Sequence, residues 1–385
     1  MITTMGSLEH VLAGIAGWAM IAFVLRDAFE TMILPRRLNG PFRFTRVYYQ
    51  SIWPLWSALA VRLHGRRRES ALSLFGPVSM LLLFVLWAVV LVGGFACVYW
   101  SLGSPLQTPE PLRGFGMDVY LSGVTLLTIG IGGAVPHTAF SRVLAVGEGG
   151  LGLGFVAIII SYLPVLYGGF SRRETSISML DARAGSPPSA SELLRRHAGA
   201  LDELQAYLAE WERWSAELLE SQISYPVLGY FRSQHVNQSW LAALGTMLDT
   251  CALLLACCEE GCTRQAQLTF AIARHAVVDL AQIFIHQLPG TVPDRLPDAD
   301  LSRLKSGLAK AGVPLRWEAA NVRQLTALRQ LYEPHVLGIA THLKLEPPRW
   351  IGDPNTPDNW QRSPWDRSVT GATGRVERGV ADRHY

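Results

Sequence analysis

Nine consecutive residues, Thr125 to Gly133, form a glycine-containing segment whose backbone could hold an ion. Within them Gly130 and Gly132 are separated by a single isoleucine. Successive carbonyl oxygens can point at one axis only if alternate residues adopt backbone angles that a Cβ forbids, and glycine is free to adopt them. A row of such oxygens, together with the hydroxyl of Thr128, can replace the water shell of a cation. The alternative is a glycine-rich extracellular turn that binds no ion.

Long apolar segments flank these nine residues. Hydrophobic residues make up 49% of the 385-residue chain and charged residues 17%, which is too apolar for an ordinary soluble protein. Residues 8–25, 71–102 and 143–171 are nearly free of charge, and each is long enough to cross a hydrocarbon core of roughly 30 Å. After residue 185 we expect no run long enough to span. The sequence therefore predicts three membrane helices and a mostly soluble second half.

The arginines predict the orientation of these helices. Residues 35–72 carry eight arginines and one acid, Glu69, whereas the stretch between the second and third spans has few charges. Cytoplasmic loops are the arginine-rich ones. We therefore expect a multi-pass protein of the bacterial inner membrane with its amino terminus outside and its carboxyl terminus in the cytoplasm. The first span lacks the basic start and cleavage site of a signal peptide, so we interpret it as a retained helix.

The nine residues, T-L-L-T-I-G-I-G-G, resemble the selectivity-filter signature of potassium channels, T-x-x-T-V-G-Y-G-D. The resemblance implies an all-α membrane protein of the pore-loop class, with an outer helix over 74–101, a pore helix over 117–127 and an inner helix capped by Ser141. One loop per chain supplies one wall, and a carbonyl ring needs about four. The resemblance therefore implies a tetrameric channel of identical chains, with potassium ions as its only cofactor.

The resemblance also assigns residues to the ion path. The ion-binding filter would comprise Thr128, Ile129, Gly130, Ile131, Gly132 and Gly133, with Gly132 allowing the backbone to turn. Most family members have tyrosine in place of Ile131 and aspartate in place of Gly133, and Val124 offers no polar partner behind the filter. We expect a less braced filter, with weaker selectivity or weaker sustained conduction.

The following helix contains the candidates for the lower pore. Gly152 aligns with a hinge glycine of the family, although small residues at such spacing also permit close helix packing. Val156, Ile160 and Leu163 follow at helical spacing and would line the lower cavity, where apolar rings can gate by dewetting. Pro164 should kink the helix near its cytoplasmic end.

An acid inside this span, Glu148, is a functional candidate. We expect it to lie behind the pore helix, hydrogen-bonded to hydroxyls such as those of Ser122 or Thr125, and so to support the filter with Thr125. The alternative is a direct role in permeation.

The first 70 residues form the amino-terminal region. A helix over 8–34 places Arg26 and Glu30 one turn apart, where they could pair. Residues 41–64 mix aromatics with arginines, which is typical of a helix lying in the cytoplasmic membrane interface in contact with lipid. The alternative is a short helix packed on its neighbours.

The remaining chain divides into a pore domain and a cytosolic half. We predict the pore domain over 71–175, a linker over 176–190, a helical domain over 191–345 and a disordered tail over 346–385. The predicted cytosolic helices cover 191–221, with a heptad-like and possible coiled-coil pattern, and then 233–258, 263–288, 299–311 and 316–343. Residues 224–240 are similar to the carboxyl-terminal region of bacterial two-helix potassium channels, but the sequence assigns no ligand to them.

Other chemistry receives little support. The cysteines at 251, 257, 258 and 262 lack the paired spacing of a zinc site, so buried structural thiols are the favoured interpretation. His275 and Asp279 could coordinate a metal, but a helix-surface pair is favoured. We find no nucleophile with a placed base and no nucleotide-binding loop, so an enzyme is not expected. Nothing supports nucleic-acid binding.

The function that these features predict is passive cation flux across the membrane, potassium being the preferred ion. Two alternatives stay open. A non-selective cation channel would share the fold, and a non-conducting membrane sensor would keep the filter only as a relict.

Overall fold

The computed structural model describes residues 2–34, 44–104, 106–107, 114–235, 237–258, 263–285, 287–288, 290 and 293–352. By contacts the chain separates into two compact units, residues 1–167 and residues 168–385. This boundary lies earlier than the predicted end of the pore domain at residue 175. Each unit is described by itself below.

The first unit contains long apolar helices and one short helix. Its helices are α1 (Ile2–Met32), α2 (Phe44–Val61), α3 (Arg66–Ser101), α4 (Phe115–Leu126) and the first part of α5 (Ala139–Ala184). Two short antiparallel strands, β1 (Leu106–Gln107) and β2 (Val135–Pro136), pair Leu106 with Pro136. The helices α1, α3 and α5 are long and apolar enough to span a membrane. The predicted order of outer helix, pore helix, filter and inner helix is present.

The helix α1 packs on α3 through small residues. A Cβ at Gly17 would lie 2.5 Å from the carbonyl oxygen of Gly94, and one at Gly14 would lie 2.9 Å from the Ser101 hydroxyl. Helices in lipid associate closely where small residues let their backbones approach. The glycines therefore set how closely α1 approaches the outer helix.

The helix α2 packs along α3 with its aromatic face. The Tyr48 hydroxyl donates to the carbonyl oxygen of Ser79 at 2.6 Å, and the Trp56 indole donates to that of Ala71 at 2.8 Å. Leu55 and Leu59 on α2 are exposed. The alternative of a helix packed on its neighbours is thus partly realised. Contact of the exposed leucines with the membrane interface stays a prediction.

A buried acid that was not predicted from the sequence joins α1, α2 and α3. Asp27 on α1 accepts hydrogen bonds from the Thr45 hydroxyl at 2.8 Å and from the Trp87 indole at 3.0 Å. The pairing predicted for Arg26 and Glu30 is also present, since Arg26 Nε lies 2.8 Å from Glu30 Oε1. Asp27 therefore faces inward and is satisfied by neutral donors, while Arg26 and Glu30 pair at the surface.

The inner helix α5 begins with a reciprocal cap. The hydroxyl of Thr138 accepts from the Ser141 backbone N–H at 3.2 Å, and the Ser141 hydroxyl accepts from the Thr138 N–H at 3.1 Å. This arrangement satisfies two of the donors that a helix start leaves free. Ser141 was predicted as the cap itself, but Thr138 occupies the cap position and Ser141 lies in the first turn.

The second unit is a bundle of shorter helices around the end of α5. These are α6 (Ala190–Arg196), α7 (Leu201–Ser224), α8 (Trp240–Cys257), α9 (Thr263–Phe284), α10 (Asp298–Lys310), α11 (Ala319–Gln330) and α12 (Glu333–Leu343), with a 3-10 turn over Pro226–Tyr230. Arg173 of α5 donates to the carbonyl oxygens of Leu228 and Phe231, each at 2.8 Å, and so holds that turn.

Two predicted helices are each broken in two. The helix predicted over 191–221 divides into α6 and α7 at Gly199, whose φ is +81°. The helix predicted over 316–343 divides into α11 and α12, and Pro334 lies in the first turn of α12. Proline suits a first helical turn but interrupts a helix interior, because it lacks the N–H donor.

The heptad-like leucines of α7 are buried inside the unit. Leu204, Leu208 and Leu218 are each at most 2% exposed, and α7 packs on α9. The Thr269 hydroxyl of α9 donates to the Leu208 carbonyl at 2.9 Å. The predicted seam is therefore filled within one chain, so no coiled coil between chains is needed to cover it.

The predicted linker and the start of the predicted tail are ordered and packed. The helix α5 continues to Ala184, and Ser186 and Ser189 of the following turn are buried. Trp350 is 2% exposed, and its carbonyl accepts from the Ser191 N–H at 3.1 Å. Disorder was thus wrongly predicted for residues 346–352. Residues 353–385 lie outside the described part of the chain.

A further expectation, that no membrane-length apolar run follows residue 185, was wrong for α8. Like α1, α3 and α5 it is long and apolar enough to span a membrane, although no such run was predicted after residue 185. However, 94% of its apolar window is buried by its own unit, against 17% for α1 and α5. Because α8 has almost no free face for lipid, it forms the core of the second unit.

Candidate functional site

The filter segment follows the end of α4 and alternates in backbone conformation. The φ angles of Thr128, Gly130 and Gly132 are +54°, +65° and +78°, and that of Gly133 is +106°. Every second residue from 128 to 132 is thus in the left-handed region, which costs a non-glycine residue energy. The alternation is the arrangement expected of a backbone whose carbonyls line one side.

The N–H groups at the start of the segment turn back toward α4. The N–H groups of Ile129 and Gly130 donate to the Val124 carbonyl at 2.9 and 3.3 Å, and that of Thr128 donates to the Thr125 carbonyl at 3.0 Å. These three N–H groups are therefore bonded to the end of α4. No backbone N–H among the described residues donates to the carbonyls of residues 128–131, so these oxygens are available to a cation.

The outer end of the filter is held by a tyrosine of α4. The Tyr120 hydroxyl donates to the Gly132 carbonyl oxygen at 3.0 Å. A Cβ at Gly133 would lie 3.8 Å from the ring of Tyr120. A less braced filter was predicted because Ile131 and Gly133 replace the family's tyrosine and aspartate. Tyr120, twelve residues before Gly132, nevertheless supplies one brace; its place on the pore helix was the available signal.

Glu148 lies behind the pore helix and is fully buried. Its carboxylate accepts from the Ser122 hydroxyl of α4 and, at 2.9 Å, from the Tyr99 hydroxyl of α3. The expected contact with Ser122 is present, and Tyr99 was missed. Thr125, the other expected partner, lies against Gly149, where a Cβ would be 3.8 Å from the Thr125 methyl group. Glu148 thus joins three helices around the filter, and its role as filter support stays a prediction.

Gly152 packs against the end of the pore helix. A Cβ at this position would lie 1.8 Å from the carbonyl oxygen of Leu126. No side chain fits at that distance, and α5 continues as one helix through both Gly152 and Pro164. The geometry corresponds to the close-packing alternative, not to a pore-lining position for Gly152. The hinge has no support in this conformation.

The other predicted pore-lining residues are largely uncovered in a single chain. Val156 and Ile160 are exposed, as is Pro164, and Leu163 is partly buried. An exposed apolar face on a membrane helix can meet lipid, another chain or a cavity. Their place in a gate therefore stays a prediction.

The metal candidates form no site in the described residues. His275 Nε2 lies 3.8 Å from Asp279 Oδ2 on a helix surface, and Cys251 and Cys257 are buried as free thiols. No cluster of three metal-ligating side chains occurs in the described part of the chain. Cys262 lies outside the described residues.

A buried charged network in the second unit was missed. Arg295 bridges Asp249 of α8 and Glu333 of α12, and its Nη1 lies 3.3 Å from Glu333 Oε1. Arg329 completes the network, with its Nη2 3.1 Å from Glu333 Oε2. The Trp350 indole donates to Glu333 at 3.3 Å. The network joins α8, α11, α12 and the segment after α12, so it serves the fold of this unit.

Comparisons with known proteins agree with the pore architecture. A family model described as "Ion channel" matches residues 81–166, which run from α3 through α4 and the filter into α5. Protein LctB of Geobacillus stearothermophilus is 31% identical over 127 residues, which cover 30% of this chain and 87% of LctB. No solved structure matches the chain significantly. The chain therefore belongs to the ion channel family that includes the bacterial two-helix potassium channels.

Proposed function

We propose that four copies of this protein form a cation channel in the bacterial inner membrane, with potassium as the preferred ion. The alternation of left-handed residues at Thr128, Gly130 and Gly132 is the observation that carries the proposal. Carbonyl oxygens on one side of such a backbone can replace the hydration shell of a cation. The free carbonyls of residues 128–131 supply the ligands.

The need for glycine in the filter comes from backbone conformation and not from crowding. A Cβ at Gly130 would meet nothing within 4 Å, yet its φ is +65°. Alanine would therefore be strained by its own backbone, at a cost of about 1–2 kcal/mol per residue. Repeated in four chains, this strain acts on the ion path directly.

Four copies also account for apolar surface that one chain leaves open. The side chains of Ile129 and Ile131 are 53% and 70% exposed. One chain supplies one wall of a carbonyl ring, and further copies would complete the ring and cover these isoleucines. The arginine-rich segment before α3 supports a cytoplasmic position for that end of the helix and an external position for the filter.

Purified full-length protein in potassium-loaded liposomes tests the proposal. We expect an outward potassium flux that barium blocks. Gly130→Ala should abolish most of this flux, while Gly116→Ala, at a glycine whose φ lies outside the left-handed region, should retain it. Both variants must be recovered as tetramers for the comparison to count.

The two alternatives give different results in the same liposomes. Equal permeability to sodium and potassium would identify a non-selective cation channel. Intact tetramers without barium-sensitive flux of either ion would contradict conduction and favour a membrane sensor.

A further inference from the structure

We infer that residues 346–352, called the strap below, are a detachable segment that locks the end of the inner helix α5 in place. The inference goes beyond the proposed function, and only its consequence for potassium flux rests on that function. The strap follows α12 directly, after Lys344, whose φ of +56° ends the helix. The strap can therefore leave without unwinding any helix.

The strap runs alongside the start of α6. The Trp350 carbonyl accepts from the Ser191 N–H at 3.1 Å, and the Gly352 N–H donates to the Ser191 hydroxyl oxygen at 3.1 Å. Arg349 pairs with Ser189 in a parallel β-bridge. An extended peptide binds to a protein in the same way, since main-chain hydrogen bonds supply affinity and side-chain pockets supply specificity. The strap thus docks as a peptide ligand from the same chain.

Two close contacts fix the position of the strap. A Cβ at Gly245 of α8 would collide with the ring of Pro348, and one at Gly352 would lie 2.7 Å from Cγ of Glu192. The proline ring therefore occupies space that only glycine leaves on α8. Pro347 and Pro348 also hold the free strap near an extended conformation, so that less conformational entropy is lost when it docks.

The side chain of Trp350 lies between two arginines. Its ring centroid is 5.6 Å from Cζ of Arg295 and 5.5 Å from Cζ of Arg329, and its indole donates to Glu333 at 3.3 Å. Both arginines also pair with Glu333, so this acid keeps its charged partners when the indole leaves. Undocking breaks neutral hydrogen bonds and exposes one ring but leaves no charge unpaired, which would be far more costly.

The turn beneath the strap follows the end of α5. The Thr246 hydroxyl of α8 donates to the Pro188 carbonyl at 3.2 Å, and Arg196 of α6 donates to the Ala182 carbonyl at 2.8 Å. The helices α6 and α8 therefore hold the end of α5, and the strap contacts both of them. Because α5 is also the inner helix of the proposed channel, release of the strap would free the end of that helix to move.

Residue-resolved hydrogen exchange of the full-length protein in detergent tests the docking. The Ser191 N–H donates to the strap, whereas the Leu193 N–H donates to Ser189 at the start of the same helix. Gly245→Ala suits the helix α8 but places a methyl group where Pro348 lies. We expect Ser191 to exchange about tenfold faster in this variant, the factor for one ordinary hydrogen bond, with Leu193 unchanged.

The matched control is Gly307→Ala, because a Cβ at this helical glycine of α10 meets nothing within 4 Å. Its exchange at Ser191 should equal that of the wild type. Equal exchange at Ser191 in Gly245→Ala and the wild type would overturn the inference.

A protein that ends at Leu345 gives a second test, which does not depend on the fold of Gly245→Ala. A synthetic peptide of residues 346–352 should restore slow exchange at Ser191, and the same peptide with Trp350→Ala should not. No response to the first peptide would contradict docking. Unfolding of both this protein and Gly245→Ala would also overturn the inference, because a strap that an intact unit cannot lose is not detachable.

Potassium flux in liposomes tests the lock on α5. Barium-sensitive flux through Gly245→Ala should differ from that of the wild type and of Gly307→Ala by about fivefold or more, in either direction, as is usual for two coupled sites. Faster exchange at Ser191 with unchanged flux would overturn the lock and leave the channel function standing. Absence of flux in intact wild-type tetramers would overturn the proposed function and the lock, while exchange at Ser191 would still decide whether the strap docks.

Discussion

The buried acids of the two units differ in the groups that donate hydrogen bonds to them. In residues 1–167, Asp27, Asp118 and Glu148 are buried, and in the described residues they accept hydrogen bonds only from uncharged donors such as the hydroxyls of Thr45, Ser104 and Ser122. In the second unit, the buried Asp181 accepts from the uncharged amide of Gln238, whereas Asp249 and Glu333 are held by the charged Arg295 and Arg329. In the proposed channel, an arginine beside the filter would repel a cation, because Coulomb repulsion is strong in a medium of low dielectric. Hydroxyl donors hold an acid there without adding positive charge.

The two units also differ in how many large apolar side chains they expose. Exposed large apolar side chains are numerous on α1, α3 and α5 before residue 168, whereas the described residues beyond it expose four, namely Met179, Leu268, Leu288 and Leu331. The first unit therefore needs lipid or further copies to cover its surface. The second unit buries its apolar side chains, α8 included, by itself.

We expect the largest loss of stability from replacement of Arg295 in the second unit. Arg295→Leu leaves the carboxylates of Asp249 and Glu333 buried without one of their partners, which typically costs about 3–5 kcal/mol. Hydrogen exchange of the full-length protein in detergent should show α8 and α12 opening more readily, with α3 unchanged. Arg303→Leu, which removes an exposed pair with Asp300, should have almost no effect. Equal exchange in the two variants would show that the buried charges do not stabilise this unit.

Replacement of Gly152 should disturb the first unit. Gly152→Ala places a methyl group against the Leu126 carbonyl, and overpacking of this kind costs about 1–3 kcal/mol or more. We expect a lower melting temperature and fewer intact oligomers. Gly154→Ala is the control, because a Cβ there meets nothing within 4 Å. A fully stable Gly152→Ala protein with altered open probability would instead favour the hinge.

Replacement of Glu148, the acid behind the pore helix, should lower the stability by a smaller amount. Glu148→Gln forces the Ser122 or Tyr99 hydroxyl to accept a bond where it now donates one, at a cost of about 1 kcal/mol. We expect reduced thermal stability with potassium flux retained. Ser122→Ala should couple to it in a double-mutant cycle, since the two groups share a hydrogen bond. Flux that disappears in stable Glu148→Gln tetramers would favour a direct role of the charge in permeation.

The smallest expected effect is the pH dependence contributed by Glu192, which Arg195 and Arg196 contact in the second unit. Burial opposes the charge of Glu192, but the hydrogen bond from Arg195 and the charges of Arg195 and Arg196 outweigh it and hold the pKa below its ordinary value of 4.5. A lowered pKa in the folded state stabilises the fold above pH 4.5, and this contribution is lost as the pH falls through the folded value.

Acid unfolding with Glu192→Gln measures that contribution. The variant should lose about 0.5 kcal/mol at neutral pH, as expected of a pair that is partly exposed. Its hydrogen exchange in α6 should also change less than that of the wild type between pH 5 and pH 3. Identical pH profiles of the two proteins would contradict the assigned pair.

Several features followed from local spacing along the chain. Runs of apolar residues located α1, α3 and α5, and the alternating glycines located the segment whose φ angles alternate. The contact of Glu148 with Ser122 could be predicted because an acid on an apolar helix must find a nearby hydroxyl. The breaks at Gly199 and Pro334 were missed, although both residues are ordinary signals for a helix end, because the apolar pattern continues across them.

The sequence by itself determined which segments are helical, which are apolar enough for a membrane, and where the backbone must turn in ways open to glycine. Only the tertiary structure decided that Tyr120 binds Gly132, that Gly152 packs against Leu126, that Arg295 bridges Asp249 and Glu333, and that α8 is a core helix. Helix type and apolarity depend on neighbours a few residues away. Which side chains meet depends on how helices cross, and residues such as Asp249 and Arg295, 46 positions apart, carry no local mark of their pairing.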